Sequence, residues 1–255
     1  MIDSHAHIHD RAFEEDRAAM IERARTAGVD EIITVGCDIA DTARAIACAN
    51  EFELYASAGI HPHEAKSAPA DIAAAFAPFL ADPRVIAIGE TGLDYYYKHS
   101  DRDAQIRVLR DQLRLARERN YPVIFHQRDA YDDFMSVLRE EFVSGMRGVI
   151  HCFTGDAQQA RTYTSEFGLL LGIGGVFTFK TASNVRDAVK SVGIEHLIVE
   201  TDCPYLAPVP LRGKRNEPAF ITHTAQLLAD ELALPLATVL STTDATARSL
   251  FALRR

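Results

Sequence analysis

Two histidines one residue apart, His5 and His7, open a set of metal-ligand side chains that continues with Glu90, His126, His151 and Asp202. In an extended segment residues i and i+2 point the same way, so His5-Ala6-His7 can chelate one ion. Alone, such a pair could equally be two hydrogen-bonded polar groups, but six titratable side chains buried together would be costly without a cation. Four imidazoles and two carboxylates suit zinc, manganese or iron better than the oxygen-only cages of calcium. One ion leaves ligands unused. Two ions about 3.5–4 Å apart, sharing a bridging carboxylate and a bridging hydroxide, use all six. Glu90 is the expected bridge. Asp202 is the residue expected to orient the bridging water and accept its proton, which makes Glu90 and Asp202 the catalytic pair of a two-metal hydrolase.

These residues need elements that bring them together. Short aliphatic runs alternate with amphipathic stretches from Met1 to about Asp202, the pattern of repeated βα units. Eight runs read as strands: MIDSH, EIITVG from Glu31, LYASAGI from Leu54, VIAIGE from Val85, PVIFHQ from Pro122, GVIHC from Gly148, LLLGIG from Leu169 and LIVETD from Leu197. Between them, Ile106, Leu109, Leu113 and Ala116 form one apolar helical stripe, and Gly28 stops the first helix. After the eighth strand come the loop CPYLAPVPLRGKRNEP, a helix with Ile221, Ala225, Leu228 and Leu232 on one face, and a final helical segment ending at the Arg254-Arg255 tail. The expectation is an α/β fold: one (β/α)8 TIM barrel domain over 1–255 with extra C-terminal helices, its 255 residues matching the roughly 250 of that fold. His5 and His7 end the first predicted strand, Glu90 the fourth, His126 the fifth, His151 the sixth and Asp202 the eighth. In a barrel those carboxyl ends share the face that carries active sites.

The net charge of −9 disfavours tight, sequence-independent binding along a long polyanion, so a nucleic-acid substrate would be gripped locally, at a strand end or as a short oligonucleotide. Met1 leads into Ile-Asp-Ser-His with no basic stretch or apolar run, and no segment is long enough to span a bilayer. A cytoplasmic protein is expected, with no membrane association and no obligate protein partner. Cys37, Cys48, Cys152 and Cys203 contain no Cys-x-x-Cys pair and read as reduced, buried thiols. Side-chain alternation should turn Cys152 and Cys203 away from the ligands.

Several residues are candidates for holding substrate. Arg128 can take two phosphate oxygens in one planar fork, against the alternative of a structural ion pair. His61 in GIHPH reads as a substrate contact or a support for the ligands, with His63 evenly balanced. Tyr95, Tyr96 and Tyr97 offer rings for a nucleobase or simply pack the loop. Arg212, Lys214 and Arg215 form a basic cluster suited to backbone phosphates, although such runs are usually solvated. Gly174 and Gly175 could admit a phosphate but more often mark a turn. Asp94 and Asn216 are candidates for ordering loops. His9, His99, His196 and His223 read as structural or exposed.

The motifs MIDSHAH, GIHPH, IGETGLDYY, FHQRDA, IHCFTGD, ETDCPYLAPVP and RGKRNEP follow one another in order. Together they resemble the TatD family of metal-dependent deoxyribonucleases over essentially the whole length, and the branch that retains an N-terminal His-x-His. The resemblance implies an amidohydrolase-like barrel, with one metal held by His5, His7, Glu90 and Asp202 and the second by Glu90, His126 and His151. It implies DNA hydrolysis supported by magnesium, manganese or zinc, often exonucleolytic from a 3′ end, with DNA or oligonucleotide ends as substrate. Two departures stand out. Asp244 replaces the more usual asparagine, with an altered helix cap as the expected effect, and LGIGG replaces a serine-containing stretch near the mouth. A carboxylic-ester hydrolase on the same centre, such as a D-aminoacyl-tRNA deacylase or a lactonase, is the rival activity. A non-enzymatic barrel with a structural metal is a third reading, disfavoured because structural sites are normally closed.

Overall fold

The computed structural model of the chain describes residues 1–253; the Arg254-Arg255 tail lies outside them. Eight strands, β1 (Ile2–Ala6), β2 (Glu31–Val35), β3 (Tyr55–Ala58), β4 (Val85–Asp94), β5 (Val123–Arg128), β6 (Gly148–Ile150), β7 (Leu170–Ile173) and β8 (Leu197–Val199), lie in one sheet in chain order. Helices alternate with them, and the fold is the expected (β/α)8 barrel. Among the described residues no helix is long and apolar enough to cross a membrane.

The chain forms two compact units, one of residues 1–33 with 152–255 and one of residues 34–151. In the first, α1 (Arg17–Thr26), α6 (Ala157–Phe167), α7 (Ser183–Val192), α8 (Ile221–Leu232) and α9 (Leu236–Phe251) accompany β1, β7 and β8. Backbone bonds from His7 N to Cys203 O (2.7 Å) and from Asp202 N to His5 O (2.9 Å) tie the chain beyond β1 to the chain beyond β8. Asp244 does not cap a helix. It lies inside α9 and its Oδ1 accepts from Ile2 N at 3.0 Å, anchoring the start of β1. Gly175 lets two loops touch, since a Cβ there would lie 2.0 Å from Leu206 O.

In the second unit, α2 (Ile39–Phe52), α3 (Ile72–Phe76), α4 (Arg102–Arg119) and α5 (Tyr131–Glu141) accompany β3 to β6. The stripe read from the sequence buries Leu109, Leu113 and Ala116 of α4, while Ile106 remains partly exposed. Gln112 of α4 is also buried, and its amide accepts from Ile60 N (2.9 Å) and donates to Ile60 O (3.0 Å), satisfying the backbone just after β3.

Strand ends differ from expectation in three places that matter for chemistry. β4 runs four residues past Glu90, to Asp94, with its register against β5 shifting between Ile88 and Thr91. Glu90 sits in that irregularity, its N–H bonded to Gly36 O at 3.2 Å. β6 and β8 are shorter than predicted, because Cys152 (φ 43°) and Asp202 (φ 58°) adopt left-handed backbone that ends extended pairing. The alternation argument therefore does not apply to Cys152. Nor are all four thiols buried: Cys48 and Cys203 are, whereas Cys37 and Cys152 are half-buried, and none of the four is in a disulfide.

Candidate metal centre

In the first unit, β1 presents His5, and His7 is the residue just past its end, both buried. Their Nε2 atoms lie 3.3 Å apart and face Asp202 Oδ1 at 3.8 and 3.5 Å. The two-residue spacing does what extended backbone dictates, and the left-handed turn at Asp202 aims its carboxylate back at the same point. Beneath them, Asp3 was not singled out by sequence reasoning. Its carboxylate accepts from Thr201 N (2.9 Å) and Thr201 Oγ1 (2.6 Å), fastening β1 to the residue before Asp202. Burial pushes its pKa up to about 8, against the pull of the Thr201 bonds. The signal was an acid at an inward position of an apolar strand. Asn216, flagged as a loop-ordering residue, is fully buried and donates to Thr201 O (2.8 Å) and Tyr205 O (2.7 Å).

In the second unit, one carboxylate oxygen collects three imidazoles. Glu90 Oε1 lies 2.8 Å from His126 Nδ1, 3.5 Å from His61 Nε2 and 3.6 Å from His151 Nε2. His61 Nδ1 accepts from His63 N at 3.1 Å, which assigns the proton of a neutral His61 ring to Nε2. Asp94, a fully buried residue, forms a layer behind this cluster: Oδ2 meets His126 Nε2 and His63 Nε2, each at 3.0 Å, while Oδ1 accepts from Tyr96 N (2.9 Å) and Tyr97 N (3.0 Å). Burial alone would raise the Asp94 pKa, but the bonds from His126, Tyr97 N and His63 hold it well below the usual carboxylate range. Gly92 allows the close approach of β4 to β5, since a Cβ there would lie 1.8 Å from His126 O.

The donor set fits divalent cations. Both ring nitrogens of His126 face carboxylates, yet a neutral imidazole can donate through only one. With Nε2–H given to Asp94, the Nδ1 lone pair confronts a Glu90 lone pair at 2.8 Å, which requires a proton or a cation between or beside them. His5 Nε2, His7 Nε2 and Asp202 Oδ1 likewise converge, all within 3.8 Å of one another, the residue types and grouping that a divalent cation takes.

The residues expected to hold substrate are placed diversely. Arg128 is exposed, and its guanidinium lies 4.0 Å from the Tyr96 ring centroid and 4.9 Å from that of Tyr97. Tyr95 is tied down, its hydroxyl donating to Asp133 Oδ2 at 2.7 Å. Arg215 pairs with Asp16 at 2.7 Å above the Phe13 ring, and Arg212 stacks on Phe179. Lys214 is exposed. His9 is buried 6.2 Å from the His7 ring, and His99 stacks on Tyr97.

A family model described as TatD related DNase matches residues 2–252. A Bacillus subtilis protein named as an uncharacterized metal-dependent hydrolase, YabD, is 38% identical over 252 residues, covering 98% of each chain. A Rahnella protein named 3′-5′ ssDNA/RNA exonuclease TatD is 36% identical over 248 residues, covering 94% of each. The crystal structure of YjjV, a TatD homolog from Escherichia coli, superposes with a TM-score of 0.93 at 28% identity, covering 100% of this chain and 98% of that one. The chain belongs to the TatD family and is a metal-dependent hydrolase.

Proposed function

With that membership as the premise, we propose that the protein is a two-metal DNA phosphodiesterase of the cytoplasm, working as one barrel domain and trimming DNA or oligonucleotides from a 3′ end. The observation that carries the reading is the gathering of three imidazoles around Glu90 Oε1, the environment a bridging carboxylate needs. In this reading His5, His7, Glu90 and Asp202 would hold one ion and Glu90, His126 and His151 the other, with zinc, manganese or magnesium as the candidates. Such a pair would supply Lewis-acid polarisation of a phosphoryl oxygen and of the attacking water.

The side chains do the rest. Asp202 accepts the proton of the attacking water, Glu90 holds the imidazoles around its carboxylate in place, and His61 donates from Nε2 to a non-bridging phosphate oxygen. Arg128 adds a planar, permanently charged fork for the phosphate, with Lys214 and Arg215 toward the strand beyond it. The Rahnella relative's name supports a nucleic-acid substrate and 3′ polarity.

The test is a panel of single- and double-stranded DNA, aminoacyl-tRNA and simple esters, offered to metal-reconstituted protein with a chelator control. Metal-dependent release of nucleotides from the 3′ end, lost in Glu90→Ala and Asp202→Ala, is expected. Ester or aminoacyl-tRNA hydrolysis without DNA cleavage, or full activity in both variants, would overturn the proposal.

A further inference from the structure

Tyr96 and Tyr97 are the two most conspicuous aromatic side chains left in solvent in the second unit, 56% and 51% exposed. Burying a tyrosine ring is favourable, so two adjacent exposed rings need a reason. Their turn is not loose. Asp94 Oδ1 takes the N–H of both, Tyr95 N donates to Arg128 O at 3.0 Å, and the Tyr95 hydroxyl is fixed by Asp133, which Arg102 also grips. The same Asp94 carboxylate holds His126 through its other oxygen. One buried group thus sets the position of the aromatic turn relative to an imidazole of the cluster.

Arg128 completes the arrangement. Its guanidinium lies over both rings, and among the described residues no carboxylate pairs with it. Tyr97 in turn stacks on His99, with planes 17° apart. Guanidinium and His99 both lie against Tyr97, whereas Tyr96 has Arg128 over its ring and lies at 85° to the Tyr97 plane. A flat, exposed ring in contact with an unneutralised planar cation, the ring's turn anchored to the residue that orients His126 and the arginine's backbone bonded to that turn, is complementary to one kind of ligand: a planar base joined to a phosphate.

We infer that Tyr96 and Arg128 form a mononucleotide subsite, in which an unpaired nucleobase stacks on the Tyr96 ring and its phosphate is held by the Arg128 fork, with Tyr97 and His99 buttressing the stack. The inference rests on the phosphodiesterase reading for its biological use but not for its measurement. A base inside a duplex stacks on its neighbours and offers no face, so the subsite takes a frayed or single-stranded end. Tyr96 is then a specificity residue that distinguishes a nucleotide from any other phosphate ester, and Arg128 is indifferent to the base.

The test is equilibrium binding to the full chain, both chelator-treated and metal-loaded, using deoxyadenosine 5′-monophosphate and 2-deoxyribose 5-phosphate. Loss of one stacked base weakens binding between about fivefold and about 150-fold, so the wild type should favour the nucleotide by a ratio in that range. Tyr96→Ala should bring the ratio close to one by weakening only the nucleotide, Tyr96→Phe should preserve it, and Arg128→Ala should weaken both ligands alike. Equal binding of the two ligands by the wild type, no measurable nucleotide binding, or an unchanged ratio in Tyr96→Ala overturns the inference. A nucleotide-selective protein that cleaves no DNA would instead defeat the phosphodiesterase reading and leave the subsite standing.

Discussion

Asp94→Asn isolates the layer behind the proposed ligands. The asparagine carbonyl can replace Oδ1 and still accept from Tyr96 N and Tyr97 N, so the turn should hold. The amide nitrogen then replaces Oδ2 and offers a donor where His126 and His63 each met an acceptor at 3.0 Å. His126 must accept at Nε2 and carry its proton on Nδ1, which becomes a hydrogen-bond donor to Glu90 instead of a ligand atom. Losing an outer partner of this kind typically lowers metal affinity about 10- to 100-fold, or about 1.4 to 2.7 kcal/mol. Asp94→Ala adds a second cost, because both turn N–H groups lose their acceptor; at about 1 kcal/mol each for partly buried donors, the metal-free protein should lose about 2 kcal/mol more than the asparagine variant does. Titrating chelator-treated protein with zinc or manganese against a competing indicator gives the first quantity, and urea unfolding of the metal-free variants gives the second. Wild-type metal affinity in Asp94→Asn would show that His126 does not depend on Asp94 for its tautomer, and indistinguishable unfolding of the Ala and Asn variants would remove the turn from the account.

Three further outcomes follow from the geometry. Gly92→Ala, whose Cβ would lie 1.8 Å from His126 O, should cost about 3 kcal/mol in urea unfolding as β4 and β5 are pushed apart, and a wild-type midpoint would contradict the close approach. Arg128→Lys keeps the charge but not the fork, so kcat/KM on a phosphodiester should fall about tenfold while hydrolysis of a small neutral ester, if any, changes less; equal losses on both would remove the phosphate role. Asp16 is held below its ordinary value of 3.8, first by hydrogen bonds from Arg215 and Arg23. A depressed folded-state pKa means stability that is present above about pH 4 and lost as pH falls through the lower value. Arg215→Ala should therefore lower the melting temperature at neutral pH, by an amount worth no more than about 1 kcal/mol after solvent screening, with the two proteins converging in acid; a difference independent of pH would refute the linkage.

Much of the candidate site was legible without coordinates because strand chemistry is local. The alternation of aliphatic runs with amphipathic stretches reports the βα repeat, and a histidine or acid at the end of such a run must stand near a strand terminus whatever surrounds it. His5 and His7 are the clearest case, since period-two geometry alone puts both rings on one side. Asp94 and Asp3 were harder. The sequence marks Asp94 only as a candidate for ordering a loop, and Asp3 not at all, because their partners, His126 and Thr201, lie far along the chain and nothing nearby in sequence names them. The basic cluster shows the same limit. As a string, Arg212, Lys214 and Arg215 are three adjacent cations, but folding pairs Arg215 with Asp16 and lays Arg212 on Phe179. Residue type and backbone period fixed which side chains can bind metal and roughly where they stand. Which proton sits on which imidazole, and which cations keep their charge for a ligand, depended on contacts between distant segments, since hydrogen bonds and ion pairs are decided by distance in space and not by order along the chain.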